Sequence, residues 1–209
     1  DLDGAGGAAR DVVVASLDGW LFAFAADGAT LPGFPVHVDF DKGKVSDETD
    51  IVDAGFFGAL ALGDLDGDGD LDVAASTWRL SNKFVWCENP GDPEKAESWK
   101  LHVVEENIAE TRTIQVGDFN GDGKPDLLGT AREANQVVWY ENPGDPRAKP
   151  WTRHAIDAKS PQPTHGMPAD IDRDGDQDVV MALGMIADAT ATDTREIVWY
   201  ENVGRPGKG

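Results

Sequence analysis

Three nine-residue segments of the chain carry side-chain oxygens at one common spacing, with Asp or Asn at positions 1, 3, 5 and 9 and Gly at position 6. Hard divalent cations are held by oxygen ligands, and Ca²⁺ takes about six to eight of them in a flexible cage. The glycine permits the sharp turn, and position 7 adds its backbone carbonyl. The spacing therefore predicts three calcium sites, whose ligands are Asp64, Asp66, Asp68, Asp70 and Asp72; Asp118, Asn120, Asp122, Lys124 and Asp126; and Asp170, Asp172, Asp174, Asp176 and Asp178.

The EF-hand is the alternative calcium motif, because it shares the first six positions. It requires a bidentate Glu at position 12 and a following helix. Position 12 of the three segments is Ala75, Gly129 and Met181, and the residues that follow favour strands or turns. The EF-hand is therefore excluded, and the remaining alternative is that the Asp-Gly runs are solvated turns.

An incomplete copy of the motif opens the chain. Asp1 and Asp3 fit the spacing, but Ala5 replaces the third ligand and Asp11 comes two residues late. The sequence therefore leaves open whether a fourth calcium site exists at Asp1, Asp3 and Asp11.

The acidic segments belong to a longer repeat, because their first aspartates stand at 1, 64, 118 and 170, in steps of 63, 54 and 52 residues. Each repeat holds four short runs rich in Val, Ile, Trp or Tyr and bounded by Gly, Pro, Asn or Asp, which indicates four strands. Four strands in each repeat of about 50 residues are typical of a β-propeller. The sequence thus predicts an all-β fold of four-stranded antiparallel blades, with the calcium loops between strands A and B.

The predicted blades cover residues 1–38, 56–104, 111–157 and 164–202, and residues 39–55 form a surface insertion. The first blade lacks strand A and the last lacks strand D. Open blade edges aggregate. We therefore expect these residues to be part of a larger propeller, which the remaining blades or a neighbouring chain complete.

The three loops, together with Phe57-Gly58 seven residues before Asp64, resemble the FG-GAP/VCBS repeats of integrin-α-type β-propellers. The segments Val138-Trp-Tyr-Glu-Asn-Pro-Gly144 and Trp151-Thr-Arg-His154 resemble the bacterial and environmental VCBS branch. The resemblance covers nearly the whole chain and implies that the loop residues named above are calcium ligands. The Gly-Ala-Pro that follows strand B in integrin repeats is absent, which argues against an integrin-type adhesion role.

Net charge argues against two classes of partner, since 39 Asp and Glu against 18 Lys and Arg leave the chain at −21. Such a chain is repelled by nucleic-acid phosphates and by anionic membrane surfaces. No apolar run is long enough to insert into a membrane. Calcium loops would stay empty and repulsive in a calcium-poor cytosol, so we expect an extracellular, periplasmic or cell-surface location.

Two functions remain. The first is a calcium-stabilised, non-catalytic binding or scaffolding module for a protein or glycan, with Trp78 and Arg79 as candidate sugar contacts. The second is the propeller part of a carbohydrate-active enzyme, because the resemblance extends to propellers of polysaccharide lyases and sugar dehydratases. In that case Arg112 and His165, on strands that line the central channel, are the candidate catalytic residues.

Other side chains are expected to be structural. Cys87 aligns with Tyr140 and Tyr200 in strand C and should be a buried apolar residue. The recurrence of His102 and His154 at one place in strand D indicates packing or hydrogen bonding within the blade. Core positions in strand C are predicted for Trp20, Trp86, Trp139 and Trp199.

Overall fold

The computed structural model describes residues 11–16, 19–31, 34–37, 56, 58, 60–77, 81–91, 99–184 and 196–204. In this part of the chain fourteen β-strands form four antiparallel sheets, each in chain order. Sheet 1 contains β1 (Val12–Ala15), β2 (Trp20–Phe24) and β3 (Val36–His37); sheet 2 contains β4 (Ala61–Gly63), β5 (Asp72–Ser76), β6 (Lys83–Glu88) and β7 (Lys100–Glu106); sheet 3 contains β8 (Thr111–Gly117), β9 (Asp126–Ala131), β10 (Gln136–Glu141) and β11 (Thr152–Asp157); and sheet 4 contains β12 (Pro163–Ala169), β13 (Asp178–Leu183) and β14 (Glu196–Tyr200).

These sheets are the four predicted blades, numbered 1 to 4 along the chain. Blades 2 and 3 have strands A to D, blade 1 has strands B to D, and blade 4 has strands A to C. Their repetition extends to irregularities, because the pairing of strands C and D shifts register at Phe84/Val85 in blade 2 and at Val137/Val138 in blade 3. The all-β repeat fold expected from the sequence is therefore confirmed.

Hydrophobic clusters join neighbouring blades face to face. Leu21 of blade 1 packs with Val73 and Val85 of blade 2, and the opposite face of blade 2 packs against blade 3 through Phe84 and Leu127. A third cluster joins blades 3 and 4 and includes Leu128, Val137, Val179 and Met181. Central strands such as β5 and β9 are thus buried on both faces, which explains why their apolar residues are consecutive rather than alternating.

Trp199 corrects one expectation about the core. Trp86 is fully buried, but Trp199, at the equivalent place in blade 4, is 45% exposed, and Ile197 beside it is 82% exposed. Among the described sheets none packs on this face of blade 4, and the four sheets do not close a ring. The prediction that Trp199 is a core residue was wrong. A Trp at this place in strand C indicates a surface suited to packing against another blade, but it does not show that a blade packs there.

Several predicted features lie outside the described residues: the insertion at 39–55, Asp1 and Asp3 of the incomplete loop, Phe57, and the Trp78-Arg79 pair. Within the described ranges no helix has the length and hydrophobicity needed to cross a bilayer.

Candidate functional site

The three acidic loops connect strands A and B of blades 2, 3 and 4, joining β4 to β5, β8 to β9 and β12 to β13. Position 6 of each loop is a glycine with positive φ, which is the left-handed region that glycine adopts without steric cost. These glycines are Gly69 (φ 100°), Gly123 (φ 86°) and Gly175 (φ 97°). At these glycines the backbone turns sharply enough for the carboxylates of each loop to face one another.

The aspartate at position 1 holds the turn from inside. Asp64 Oδ1 accepts a hydrogen bond from Gly67 N (2.8 Å), and Asp64 Oδ2 accepts one from Gly69 N (3.0 Å). These bonds are local side-chain to backbone contacts of the kind that Asp favours in turns. The equivalent bonds join Asp118 to Gly121 (2.8 Å) and Gly123 (2.9 Å), and Asp170 to Gly175 (3.3 Å).

The aspartates at positions 3 and 5 order the middle of the loop. In the first loop Asp66 Oδ1 accepts from Asp68 N (3.2 Å), and Asp68 Oδ1 accepts from Asp70 N (3.1 Å). The other loops repeat both bonds through Asn120, Asp122 and Lys124 (2.9 and 3.0 Å) and through Asp172, Asp174 and Asp176 (3.2 and 3.0 Å). The sequence repeat is therefore also a repeat of backbone geometry at every predicted ligand position up to position 7.

The aspartate at position 9 ties the loop to its own blade. Asp72 is fully buried; its Oδ2 accepts from Leu65 N (2.9 Å) and its Oδ1 from Asn89 N (2.8 Å). Because each carboxylate oxygen can accept more than one bond, both oxygens keep capacity for a cation. The same pairs recur at Asp126, with Phe119 (3.0 Å) and Asn142 (2.8 Å), and at Asp178, with Ile171 (3.0 Å) and Asn202 (2.8 Å).

An asparagine of the following blade fixes the loops of blades 2 and 3 from the other side. Asn142 of blade 3 donates from Nδ2 to Leu65 O in the loop of blade 2 (2.8 Å). Asn202 of blade 4 makes the same bond to Phe119 O in the loop of blade 3 (2.9 Å). The Asn of the repeated Glu-Asn segment is a positioning residue that sequence reasoning missed, although its recurrence two residues after Tyr140 and Tyr200 was the available signal.

Carboxylate oxygens converge in two of the loops. In the first, oxygens of Asp64, Asp66 and Asp72 lie within 4.8 Å of one another. Asp66 Oδ2 is buried and accepts no hydrogen bond, which is costly for a charged oxygen unless a positive charge lies nearby; the Arg147 guanidinium is 3.0 Å from it. In the third loop oxygens of Asp170, Asp172 and Asp174 converge to the same distance. These residues fit a hard divalent cation, and they would hold it while the cation supplied the opposing charge.

Burial raises the pKa values of two carboxyls at position 9 of the loops, Asp72 and Asp126. Burial, followed by the charges of Asp66 and Asp68, raises the pKa of Asp72 to about 7, although backbone hydrogen bonds from Asn89 and Leu65 oppose the shift. Burial also raises the pKa of Asp126 to about 6. Without a cation, the loops of blades 2 and 3 therefore favour a proton at position 9, where a bound cation would replace it.

Two basic side chains already lie against these loops. Arg147 of blade 3 places Nη1 3.0 Å from Asp66 Oδ2 and 3.9 Å from Asp68 Oδ2. Lys124 forms an ion pair with Asp122 within its own loop, which lowers the pKa of Asp122. The middle loop, with Asn120 at position 3 and Lys124 beside Asp122, is thus the least acidic of the three.

The two candidate catalytic residues lie in different surroundings. Arg112 is buried and its guanidinium donates to Glu110, whose carboxylate Arg132 also contacts at 2.7 and 2.8 Å. His165 is exposed, with Nδ1 3.3 Å from Thr113 Oγ1. It lines a mainly apolar pocket of about 350 Å³ whose lining residues do not include Arg112.

Both predicted structural histidines stack on tryptophan. His102 lies on Trp86 (ring centroids 4.3 Å apart) and His154 on Trp139 (4.2 Å). Their Nε2 atoms bind the glutamates that precede the asparagines described above, at 2.8 Å from Glu88 and 3.0 Å from Glu141. Cys87 is buried as expected, and burial raises the pKa of its thiol to about 12. These predictions are confirmed.

Comparison with known families agrees with the repeat structure. Residues 64–129 and 118–181 each match the FG-GAP-like repeat, so that the matches together cover more than half of the chain. Each matched segment starts at the first aspartate of a loop and ends within strand B of the next blade. No curated protein matches the chain. The chain therefore belongs to the FG-GAP-like repeat family, and its four sheets are blades of an FG-GAP/VCBS β-propeller.

Proposed function

We propose that this chain is a calcium-stabilised extracellular β-propeller that serves as a non-catalytic binding or scaffolding module. The observation that supports calcium is the convergence of carboxylate oxygens in the loops of blades 2 and 4, within 4.8 Å in each. Repeats of this family often bind Ca²⁺ and are typical of extracellular proteins. Asp66 has a buried oxygen that accepts no hydrogen bond and lies 3.0 Å from the Arg147 guanidinium, so this position already attracts positive charge.

Calcium would act mainly on stability. A ligand that binds only the folded state stabilises it by RT ln(1 + [L]/Kd). With a Kd of about 10⁻⁴ M, typical of weak extracellular sites, and about 2 mM Ca²⁺, each site contributes about 1.8 kcal/mol. Two or three such sites amount to a large share of the stability of an ordinary domain.

Thermal unfolding in Ca²⁺ and in EDTA tests this proposal. We expect EDTA to lower the melting temperature by several degrees, and Asp172→Asn to remove part of the difference, because Asp172 is exposed and belongs to one converging set. Glu133→Gln is the matched control, since Glu133 is an exposed carboxylate outside the loops. Equal melting temperatures in Ca²⁺ and EDTA would contradict calcium stabilisation.

Calcium affinity also tests the proposed location. Loops that fill only at extracellular calcium should have a Kd of about 10⁻⁴ to 10⁻³ M. Calorimetric titration of Ca²⁺ into the metal-free protein measures this value. A Kd below about 1 μM would be in the range of intracellular calcium sensors and would contradict the extracellular assignment.

The proposed ligand is a protein or a glycan. Propeller loops present side chains on a rigid frame, as binding sites on loops commonly do. Trp78 and Arg79 remain the proposed sugar contacts, and glycan-array binding that is lost in Trp78→Ala would support a glycan ligand. Binding to no glycan would favour a protein partner. The non-catalytic assignment is supported by the separation of Arg112, paired with Glu110, from the pocket at His165.

A further inference from the structure

The cleft between blades 2 and 3 contains a guanidinium. Arg147, which follows strand C of blade 3, reaches back to the calcium loop and strand C of blade 2. Its Nη1 lies 3.0 Å from Asp66 Oδ2, 3.9 Å from Asp68 Oδ2 and 3.7 Å from Glu88 Oε1. With Asp145 Oδ1 4.0 Å from its Nε, four carboxylates surround this guanidinium, and Glu88 also binds His102 of the Trp86–His102 stack.

The next cleft, between blades 3 and 4, is built from equivalent residues. Glu141 takes the place of Glu88, His154 the place of His102, and Asn120 the place of Asp66. The same stack and the same His–Glu hydrogen bond are present, with His154 4.2 Å from Trp139 and 3.0 Å from Glu141. Here, however, the cleft is a pocket of about 320 Å³.

Side-chain exposure shows what the guanidinium covers. The Glu88 side chain is 12% exposed and that of Glu141 is 34% exposed. His102 is 23% exposed, whereas His154 is 38% exposed. Glu141 and His154, in the cleft between blades 3 and 4, are therefore more exposed to solvent than Glu88 and His102, which lie in the cleft that contains Arg147.

The sequences that align at the two clefts also differ. The position equivalent to Arg147 in the repeat of blade 4 is Gly207, which has no side chain. The pocket is also lined by Asp176, where the preceding repeat has Lys124. The repeat of blade 4 thus has a glycine where that of blade 3 has Arg147, and a carboxylate where that of blade 3 has Lys124.

We infer that the pocket between blades 3 and 4 binds an arginine side chain supplied by a partner protein. Glu141 and Asp176 provide the negative charge, and the His154–Trp139 stack provides a flat wall beside it. Guanidinium is preferred to ammonium because its planar array of donors matches carboxylates and aromatic surfaces, and because it is the group that the equivalent cleft holds. This site adds a partner chemistry to the proposed binding role and is independent of calcium stabilisation, which the melting experiment tests separately.

Titration with blocked amino acids tests the inference. The probe is Nα-acetyl-arginine amide, added to ¹⁵N-labelled protein in 2 mM Ca²⁺ and followed through the Trp139 indole N–H. We expect saturable shifts with a Kd of about 1–10 mM, the weak affinity of a single small side-chain analogue. The lysine analogue should bind at least about threefold more weakly, since it lacks the planar fork of donors.

Three variants define the site. Glu141→Gln should weaken arginine binding about fivefold or more, which is on the order of one charge-assisted hydrogen bond, whereas Glu88→Gln in the other cleft should leave the affinity at this pocket unchanged. Arg147→Gly reproduces the residue at 207 and should open a second site, so that shifts also appear at the Trp86 indole.

Several outcomes would overturn the inference. Absence of shifts at Trp139 in the unsubstituted protein would do so, as would equal affinity for the arginine and lysine analogues. An unchanged affinity in Glu141→Gln would place binding elsewhere. If binding appeared only in Arg205→Ala, the arginine of the chain itself would be the occupant and the assignment to a partner would be wrong.

Discussion

At the residue scale, the three loops share one spacing but differ in the charges around them. The first loop faces Arg147 from the next blade, the middle loop contains Lys124, and the third presents three exposed aspartates that converge. The loop geometry was predictable from sequence because the spacing of its residues is local, and calcium binding at these positions stays a prediction. Arg147 was not, since it meets Asp66 from 81 positions further along the chain and only the packing of two blades brings them together.

Lys124 should weaken cation binding in the middle loop, because its ammonium forms an ion pair with Asp122, the carboxylate at position 5, and so competes with the cation. We expect Lys124→Ala to raise calcium affinity there by about two- to fivefold, the range of an exposed ion pair. The amide signal of Gly123, at the turn of that loop, reports binding at this site alone. Lys149→Ala removes an exposed lysine outside the loops and should leave the affinity unchanged; a Lys124→Ala variant with no higher affinity would contradict the competition.

The raised pKa values predict the pH dependence of the calcium-free protein. Asp72 and Asp126 have folded pKa values of about 7 and about 6, above the ordinary value of 3.8. Between about pH 4 and pH 7 the folded state therefore binds more protons than the unfolded state, so stability falls as the pH rises through this window. We expect a higher melting temperature at pH 5 than at pH 7.5 when calcium is absent.

Calcium provides the control for that pH dependence. A bound cation takes the place of the protons, so the advantage of pH 5 should shrink or disappear in saturating Ca²⁺. The measurement is a pair of melting curves at each pH, one after removal of divalent ions and one with calcium. A calcium-free protein that melts higher at pH 7.5 than at pH 5 would show that other groups determine the pH dependence.

At the scale of the element, the strands were largely predictable because a blade strand is a short apolar run between turn residues. The blade predicted at 111–157 contains strand B at Asp126–Ala131 and strand C at Gln136–Glu141. Which face of each strand meets which neighbour was not predictable, because consecutive apolar residues carry no alternation. The packing between blades determines which face meets which neighbour. The contact of Gly129 with the neighbouring blade shows how tight this packing is.

Gly129 in β9 lies directly against Phe84 of blade 2. A Cβ at this position would stand 2.8 and 2.9 Å from two ring carbons of Phe84, which is fully buried. We expect Gly129→Ala to destabilise the protein by about 1–3 kcal/mol, the usual cost of overpacking a core. The melting temperature in calcium should fall accordingly.

A second substitution separates this clash from other effects of Gly129→Ala. Phe84→Leu removes the ring, so Gly129→Ala should cost less in the Phe84→Leu background than in the unsubstituted protein. A double-mutant cycle measures the coupling. The double variant should be less destabilised than the sum of the two single variants by about 0.5 kcal/mol or more, as for residues in direct contact. Additive effects would mean that the Gly129–Phe84 contact is not the cause of the destabilisation.

At the scale of the whole molecule, the blades form a directional stack in which each pair shares one apolar interface. The loop of one blade is held by the asparagine of the next, and strand B is held likewise, because Ser76 donates to Arg112 O and Thr130 donates to Thr164 O. Calcium at one loop would therefore stabilise two blades at once. Among the described sheets, the stack presents exposed apolar faces at blade 1, with Val12 and Val14, and at blade 4, with Ile197 and Trp199.

These two faces should make the molecule associate. The exposed face of blade 4 is equivalent to the blade 2 face that contains Phe84 and Trp86, both completely buried by blade 3. A surface built for such contact binds another apolar surface when one is present. We expect Ile197→Asp to reduce self-association, measured as mass by light scattering across a concentration series.

Two further measurements separate association from damage to the fold. The melting temperature of Ile197→Asp at low concentration should be unchanged, because Ile197 is 82% exposed within the chain. Val103→Asp, at an exposed valine of blade 2, is the control and should not alter the mass. A monomeric unsubstituted protein at every concentration, or equal effects of both substitutions, would show that the face of blade 4 does not drive association.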